Sequence, residues 1–177
     1  MWPSGEILSP SIPYMSLNEI PALPGSYALL LHLDYALNLP VGRFGTFCFP
    51  AAEYLYFGSA CGPGGLRARL LRHIAGAGRP HWHIDSFRSL ATLETIFFLV
   101  TPAGAPPSPA RLECIWSQAA ARLPSAFVPA PRFGASDCRQ SCSAHLIGLN
   151  ELPGSLAGLL AQVAEKDPSA ISLVHLR

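Results

Sequence analysis

Residues 53–73 read EYLYFGSACGPGGLRARLLRH, and this stretch predicts a strand, a turn and a helix in succession. Aromatic and apolar residues dominate its first eight positions, as in a buried strand. A cluster of glycine and proline then interrupts the strand. The helix that follows, from Leu66 to Ala75, carries three arginines among its first eight residues, although only 13% of the chain is charged. The stretch therefore predicts a helix with one strongly cationic side.

The two sides of this helix differ in chemistry. Apolar residues recur at a spacing of four on one face, and basic residues recur at spacings of three and four on one flank: Leu66, Leu70 and Ile74 against Arg69, Arg72 and His73. The glycine-rich turn ahead of the helix allows close backbone approach to a ligand, and helix N-termini attract anions. Phosphate is the expected ligand. The alternative is a solvated basic face beside an ordinary turn.

Composition favours one compact domain. With 177 residues, half of them hydrophobic, the chain can bury a sizeable core. A formal net charge of +1 excludes a globally basic nucleic-acid clamp. The charge is uneven, however, since five arginines and one acidic residue, Asp85, lie between Cys61 and Leu90. This distribution predicts a local basic patch.

Cysteine usage and hydropathy bear on the compartment. The five cysteines are an odd number, and the start of the chain has no positively charged leader, so we expect reduced thiols in a cytoplasmic protein. No apolar run reaches the roughly 18 residues that span a membrane. His32 and Asp34 interrupt the most apolar stretch. We therefore expect a soluble protein without a membrane partner.

Proline content and periodicity divide the chain into three parts. Residues 1–24 contain five prolines and predict an irregular arm, residues 25–150 form the main domain, and residues 151–177 should add a helix and a strand to it. Strands are predicted at 26–33, 42–49, 53–60, 92–101, 145–149 and 170–176, and helices at 66–75, 81–90, from 109 onwards and at 155–167. The first three strands are spaced as in an antiparallel meander. The predicted fold class is α+β, with a small, mainly antiparallel sheet flanked by helices.

Several motifs in order resemble the GIY-YIG nuclease superfamily. These are GSY at 25–27, YFG at 56–58, Arg69 and His73 on one helix, and Glu113 on a later helix. The wider run of VGRFG, YLYFGSACGPGGLRARLLRH, HWHID and FGASDCRQSCSAHL is similar to one branch of it, long catalogued as a domain of unknown function. The resemblance covers roughly residues 24–150 and identifies residues 25–150 as a GIY-YIG-like nuclease domain.

The resemblance implies phosphodiester hydrolysis with one Mg²⁺ or Mn²⁺ ion. Tyr27 and Tyr56 match the two family tyrosines, one of which deprotonates water, and the residues themselves do not decide which. Arg69 matches the arginine that grips the phosphate, and His73 matches the family histidine. Glu113 matches the metal-binding glutamate. The alternatives are two half-buried strand tyrosines and an acid favoured by the dipole near a helix N-terminus.

Further substrate contacts are expected around these residues. The candidates are Gly58, Arg67, Arg72, His81, His83, Ser136, Asp137 and His145. Two departures from the family pattern stand out: the tyrosines are 29 positions apart, which requires an extra strand or a long hairpin between them, and the late asparagine of many relatives has no obvious match.

Cys138, Cys142 and His145 are close enough in sequence to suggest zinc. Three ligands at irregular spacing without an evident fourth make zinc unlikely, and reduced cysteines packed in a loop are the favoured interpretation.

The sequence thus predicts a divalent-metal-dependent endonuclease, acting on DNA rather than RNA in repair or on a distorted structure. A protein partner could supply its targeting. The first alternative is a catalytically inactive module that binds nucleic acid or phosphate on the same fold. The second alternative is a zinc-stabilised interaction domain.

Overall fold

The computed structural model describes residues 13–76, 83–102 and 104–176, and a six-stranded sheet lies at its centre. The strands of the described chain are β1 Gly25–Leu33, β2 Leu37–Pro40, β3 Thr46–Phe49, β4 Ala52–Ala60, β5 Thr92–Val100, β6 Ala126–Phe127, β7 Leu146–Leu149 and β8 Ser172–His175. The central sheet has the order β6-β7-β4-β1-β5-β8, and its neighbouring strands run antiparallel.

Helices complete an α+β fold, which confirms the predicted class. They are α1 Gly65–Ala75, α2 His83–Arg88, α3 Pro109–Ala120 and α4 Leu156–Val163, with short 3-10 turns at Leu17–Glu19, Gly42–Phe44 and Pro168–Ala170. Ser108 caps α3 by accepting a hydrogen bond from the Arg111 amide, and Pro109 follows it at the first helical position. None of the helices in the described chain is long and apolar enough to cross a membrane.

Helices cover both faces of the sheet at the start of β1. Successive side chains of a strand point to opposite faces. Tyr27 contacts His73 of α1 on one face, whereas the neighbouring Ser26 donates a hydrogen bond from Oγ to the Pro109 carbonyl oxygen of α3. Eight of the nine residues of β1 are buried in consequence. β1 is thus a buried strand, and it carries Tyr27 of the candidate site.

The segment predicted as one strand at 42–49 is different in the structure, and the predicted meander is wrong at this point. Gly42 and Gly45 have φ angles of 48° and 105°, in the left-handed region that interrupts a strand. The segment therefore forms a 3-10 turn and then β3, which pairs with β2 in a separate two-stranded hairpin. β1 pairs directly with β4, and the β2–β3 hairpin lies between them in sequence, so the long hairpin expected between the two tyrosines is present.

Both ends of the described chain pack on the same body. The Met15 amide donates to the Leu173 carbonyl oxygen, the Leu173 amide donates to the Pro13 carbonyl oxygen, and Ile20 is completely buried. At the other end, β8 pairs with β5, and Trp116 of α3 donates its indole N–H to the Leu160 carbonyl oxygen of α4. Residues 13–24 thus lie on the domain as an irregular segment, while residues 1–12 of the predicted arm lie outside the described residues.

Candidate functional site

A buried tyrosine and histidine form the centre of the site. The Tyr27 hydroxyl oxygen lies 2.9 Å from His73 Nε2, and each residue is 2% exposed. β1 supplies the tyrosine and the last turn of α1 supplies the histidine. The helix is held against the sheet by Leu66 and Leu70, which are fully buried, as their spacing of four predicts.

The absence of a side chain at Gly58 leaves room for the Tyr27 ring. The two residues are directly opposite each other in the β1–β4 register. A Cβ atom at Gly58 would lie 2.3 Å from both Cζ and the hydroxyl oxygen of Tyr27, so any side chain there would force the ring to move. The glycine of the YFG motif is therefore needed so that the first tyrosine can lie flat across the neighbouring strand. Its predicted contact with substrate stays a prediction.

Tyr56 lies on the same face of β4, two residues before Gly58. Its ring centroid is 6.2 Å from that of His73, and the residue is 9% exposed, more than Tyr27. A Cβ atom at Gly134 would lie 3.1 Å from the Tyr56 ring and 3.2 Å from the Cβ atom of His145. Tyr56 therefore stands between His73 and the loop that precedes β7.

The charges of Arg69 and Glu113 act on both buried tyrosines. Burial raises the pKa of Tyr27 well above its ordinary value and also raises that of Tyr56. Burial, reinforced by the Arg69 charge one turn away, lowers the pKa of His73 to about 4. At neutral pH His73 is therefore uncharged and both phenols keep their protons. We call Tyr27, Tyr56, Arg69 and His73 the tyrosine–arginine site.

A cleft of about 210 Å³ opens beside α1. Its walls come from the glycine-rich turn and the first turns of the helix: Ala60, Gly62, Pro63, Gly65, Ala68, Arg69 and Arg72. Arg72 is tied to α2, because its Nη2 lies 2.7 Å from Oδ2 of the nearly buried Asp85. The one acidic residue of the basic segment thus has an arginine as its partner. Arg69, half-buried, lines the wall of the cleft next to the tyrosines.

The first amides of α1 already have partners. The Leu66 and Arg67 amides donate to the carbonyl oxygens of Leu23 and Pro21, and Gly65 donates to Gly62. The Arg67 guanidinium also donates to the Ile20 and Asn18 carbonyl oxygens, so this side chain holds the N-terminal segment on the helix. An anion in the cleft would therefore meet arginine side chains rather than the helix amides.

The remaining predicted contacts are dispersed. His83 packs against the rings of Phe44 and Phe133, with centroids 6.1 and 5.8 Å away, at the β2–β3 hairpin. Ser136 and Asp137 are exposed on the loop before β7, and the Asp137 charge reaches Tyr56. His81 lies outside the described residues.

Glu113 contacts a histidine on the far side of this site. Its Oε1 lies 2.6 Å from Nδ1 of His145, whose side chain is 6% exposed. Burial alone would lower the pKa of His145, but the Glu113 carboxylate, with a smaller contribution from Cys138, more than offsets it and raises that pKa. Glu113 therefore connects two neighbouring centres: its charge acts on both tyrosines, and its oxygen holds His145.

His145 belongs to a buried group that the sequence only partly revealed. Four ligand atoms, from Cys114, Cys138, Cys142 and His145, all lie within 4.8 Å of one another. The sulfurs of Cys114 and Cys138 are 3.6 Å apart, and the Cys114 sulfur is 3.9 Å from His145 Nε2. Tetrahedral Zn–S bonds of about 2.3 Å place two sulfurs roughly 3.8 Å apart. We call these residues the cysteine–histidine group.

The expected Mg²⁺ or Mn²⁺ ion at Glu113 is therefore wrong. Thiolate and imidazole ligands suit zinc, whereas Mg²⁺ prefers oxygen ligands. Glu113 is engaged by His145, and the group of residues in the described ranges that can surround a metal is the cysteine–histidine group. The judgement that zinc is unlikely is corrected by the same finding, since Cys114 supplies the missing fourth ligand.

Sequence reasoning missed Cys114 for a physical reason. It lies 24 residues before Cys138, on a helix, whereas the other three ligands lie on one loop. Short spacing reveals ligands of one loop but not a ligand brought in by helix packing. The available signal was that Cys114 directly follows Glu113, the residue already chosen for metal binding.

Fold and site together define an α+β protein with a buried tyrosine–histidine pair beside an arginine-lined cleft and a separate group of metal-ligand type. The family model described as "Domain of unknown function DUF123" matches residues 26–166. The chain belongs to this family. Comparison with curated proteins finds no match, and comparison with solved structures finds none either.

Proposed function

We propose that the protein is an endonuclease that hydrolyses phosphodiester bonds of nucleic acid, with DNA expected ahead of RNA. The motifs GSY and YFG with Arg69, His73 and Glu113 resemble the GIY-YIG nuclease superfamily. The observation that supports the proposal most is that Tyr27 and Tyr56, from two strands, lie beside His73 and Arg69 of one helix. The charge of Glu113, from a second helix, acts on both tyrosines.

Arg69 has the role of holding the scissile phosphate. A guanidinium can donate two parallel hydrogen bonds to phosphate oxygens. Its attraction to the phosphate becomes stronger as negative charge develops in the transition state. The cleft beside it is lined by the glycine-rich turn, so a sugar–phosphate backbone can approach closely. Arg72 adds positive charge to the same wall, although one of its nitrogens is engaged by Asp85.

Tyr27 and His73 have the role of accepting the proton of the attacking water. A phenol with a raised pKa is a poor base alone, because its anion is disfavoured by burial. Its hydrogen bond to His73 Nε2 gives the proton a second acceptor: Tyr27 takes the water proton while it passes its own proton to the imidazole. The negative charge of a phosphate held at Arg69 favours the imidazolium that forms. Since the His73 pKa is about 4, the imidazolium then returns its proton to solvent readily at neutral pH.

The remaining step is a displacement at phosphorus. The water oxygen forms the new P–O bond, the bond to the leaving strand breaks, and the leaving oxygen takes a proton from solvent. Tyr56 stays protonated because burial raises its pKa, so its hydroxyl can donate a hydrogen bond to a phosphate oxygen. In this proposal the Glu113 carboxylate acts at His145 rather than at the phosphate.

A second candidate function is binding without turnover. The observations that favour it are the depth of Tyr27 and His73, each 2% exposed, and the engagement of Glu113 by His145. In that case the arginine-lined cleft holds a phosphate of a nucleic acid, and the tyrosines serve only to support the wall.

The test is a panel of end-labelled DNA and RNA substrates, each as single strand, duplex, nicked, flapped and branched forms. Wild-type protein as purified is compared with Arg69→Ala and Tyr27→Phe, and both cleavage and binding are measured. Arg43→Ala is the matched control, because Arg43 is an exposed arginine on the β2–β3 hairpin, over the Phe44 ring.

Cleavage by wild type and by Arg43→Ala is expected, with a loss of about 10²-fold or more in Arg69→Ala and in Tyr27→Phe. If no substrate is cut while binding persists and depends on Arg69, the nuclease is excluded and the binding module stands. If wild type neither cuts nor binds any of the substrates, both candidates fail.

A further inference from the structure

We infer that Cys114, Cys138, Cys142 and His145 bind one zinc ion, and that Glu113 is the outer carboxylate that holds His145 in the ligating orientation. The donor set of three thiols and one imidazole matches the closed, four-coordinate sites that zinc forms when its role is structural. This inference stands independently of the proposed nuclease function.

The spacing of the ligand atoms fits a tetrahedral ion better than it fits a disulfide. The Cys114 and Cys138 sulfurs are 3.6 Å apart, close to the roughly 3.8 Å edge of a tetrahedron built from Zn–S bonds of about 2.3 Å. A disulfide needs sulfurs about 2.05 Å apart. The third sulfur, of Cys142, and the imidazole of His145 complete the group within 4.8 Å.

The two nitrogens of His145 have separate tasks. Nε2 faces the Cys114 sulfur at 3.9 Å, and Nδ1 faces Oε1 of Glu113 at 2.6 Å. A histidine that binds zinc through one nitrogen commonly donates its other N–H to a carboxylate, which fixes the tautomer and the ring orientation. Glu113 occupies that outer position, directly before the ligand Cys114 on α3.

The loop around the group is held by polar contacts rather than by strands. The amide of Gln140 donates to the Cys138 sulfur at 3.3 Å, and the Cys142 thiol lies 3.9 Å from the Cys114 carbonyl oxygen. Amide donors to sulfur are typical outer contacts of thiolate ligands, because they stabilise the negative charge on the sulfur. The buried Ala135 is packed into the same group.

A zinc ion at this place would also brace the tyrosine–arginine site. Gly134, on the same loop, closely approaches both the Tyr56 ring and the Cβ atom of His145. The backbone amide of His145 donates to Phe133, and its carbonyl oxygen accepts from Phe57 of β4. Fixing His145 from its side chain therefore fixes the loop segment against which Tyr56 packs.

The first experiment is metal analysis of the full chain, purified without added metal, by inductively coupled plasma mass spectrometry. We expect about one zinc per chain. Cys138→Ser and His145→Gln should lose the zinc, whereas the matched controls Cys48→Ser and Cys61→Ser, at exposed cysteines outside the group, should keep it. Replacement by Co²⁺ should give the visible absorption of a tetrahedral thiolate site.

The role of Glu113 needs its own readout. Competition with a chromophoric chelator should show that Glu113→Gln binds zinc about 10–100-fold more weakly, with the tetrahedral Co²⁺ spectrum preserved. Asp137→Asn is the control, because it removes the same charge next to Cys138 from an exposed side chain. Equal zinc affinity in Glu113→Gln and wild type would overturn the outer-ligand role.

Two results would overturn the zinc site itself. One is a purified wild-type chain that holds no zinc and gains none on titration with Zn²⁺, a measurement that needs no variant and so does not depend on a variant folding. The other is a thiol count in denaturant with chelator that finds three reactive cysteines instead of the five in the chain, since two would then form a disulfide. A protein that binds zinc and cuts nothing would support this inference and exclude the nuclease.

Discussion

The tyrosine–arginine site and the cysteine–histidine group are neighbouring buried centres that are held together in different ways. In the first, regular elements bring Tyr27 and His73 together across 46 positions of sequence, and each polar atom of the pair finds its partner in the other. In the second, three of the four ligands lie on a loop without strands or helices, and three thiols face one another. The first centre is stable through packing, whereas a bound metal ion would join the ligands of the second.

Different interactions order the two centres. Core packing and one hydrogen bond fix the tyrosine–histidine pair whether or not a ligand is present. Thiolates that face each other repel once they are ionised, so the loop of the cysteine–histidine group would gain its order from the zinc ion inferred above. Perturbing the two centres separately should therefore give effects of different size and kind.

The largest effect is expected from metal removal. Treating the wild-type protein with a strong zinc chelator should destabilise it by about 4 kcal/mol or more, because loss of a metal belongs to the most severe perturbations of a fold. The melting temperature should fall by about 10 °C, measured by circular dichroism. The Cys48→Ser variant should respond as wild type does. A melting temperature that ignores the chelator would contradict the contrast between the two centres.

Adding a side chain at Gly58, against the Tyr27 ring, should have the next largest effect. Gly58→Ala puts a Cβ atom 2.3 Å from the Tyr27 ring, so the ring must move and the stability should fall by about 1–3 kcal/mol. Gly154→Ala, where an added Cβ meets nothing within 4 Å, is the control. Urea unfolding measures both, and the zinc content should not change. Equal stability of the two variants would show that Tyr27 is not confined by β4.

The His73 pKa of about 4 predicts a dependence of stability on pH. An unfolded histidine has a pKa near 6.5, so between these values the unfolded chain binds more protons and acid favours unfolding. From pH 7 to pH 5 the wild type should lose about 2 kcal/mol that His73→Gln retains, because glutamine can accept from Tyr27 without titrating.

Urea unfolding of both proteins at each pH isolates this contribution. Any loss of metal in acid affects the two proteins alike and cancels in the difference. Parallel pH profiles would mean that His73 is protonated as easily in the folded protein as in the unfolded chain.

The smallest effect is expected at Arg67. Its replacement tests whether every arginine of α1 contributes to nucleic-acid binding in the cleft. Its guanidinium donates to the Ile20 and Asn18 carbonyl oxygens. Arg67→Ala should therefore cost about 1 kcal/mol of stability, the usual size of such a bond, and should leave nucleic-acid binding near the wild-type value. Fluorescence anisotropy with a labelled DNA duplex is the measurement. A loss of binding as large as that of Arg69→Ala would return Arg67 to the phosphate contacts.

Much of the fold was predictable from local pattern. The buried strands at 26–33, 53–60 and 92–101 agree with β1, β4 and β5 to within one residue at each end, because long apolar runs have few alternatives to a central position in a sheet. The helix that starts at Pro109 was also predicted, because a serine cap and a proline at the first position fix its beginning. The 42–49 segment was not, because two glycines in left-handed conformations change its direction.

Part of the candidate site was predictable and part was not. Motif order brought out Tyr27, Tyr56, Arg69, His73 and Glu113, which the fold brings together. The same reasoning wrongly expected Glu113 to bind a Mg²⁺ or Mn²⁺ ion, because its carboxylate lies 2.6 Å from His145 Nδ1. That Arg67 and Arg72 contact substrate stays a prediction. Their hydrogen bonds to Ile20 and Asp85 could not be foreseen, because they depend on how other segments pack against α1.

The sequence by itself determined the fold class, the identity of the central strands and the residues that could do chemistry, because these follow from hydrophobic period, turn residues and side-chain type. Only the tertiary structure decided which of those residues meet. Cys114 joins the loop cysteines through the packing of α3, and Glu113 turns to His145 for the same reason. Contacts between elements depend on how whole faces pack, and a local pattern contains no information about the partner that a face will find.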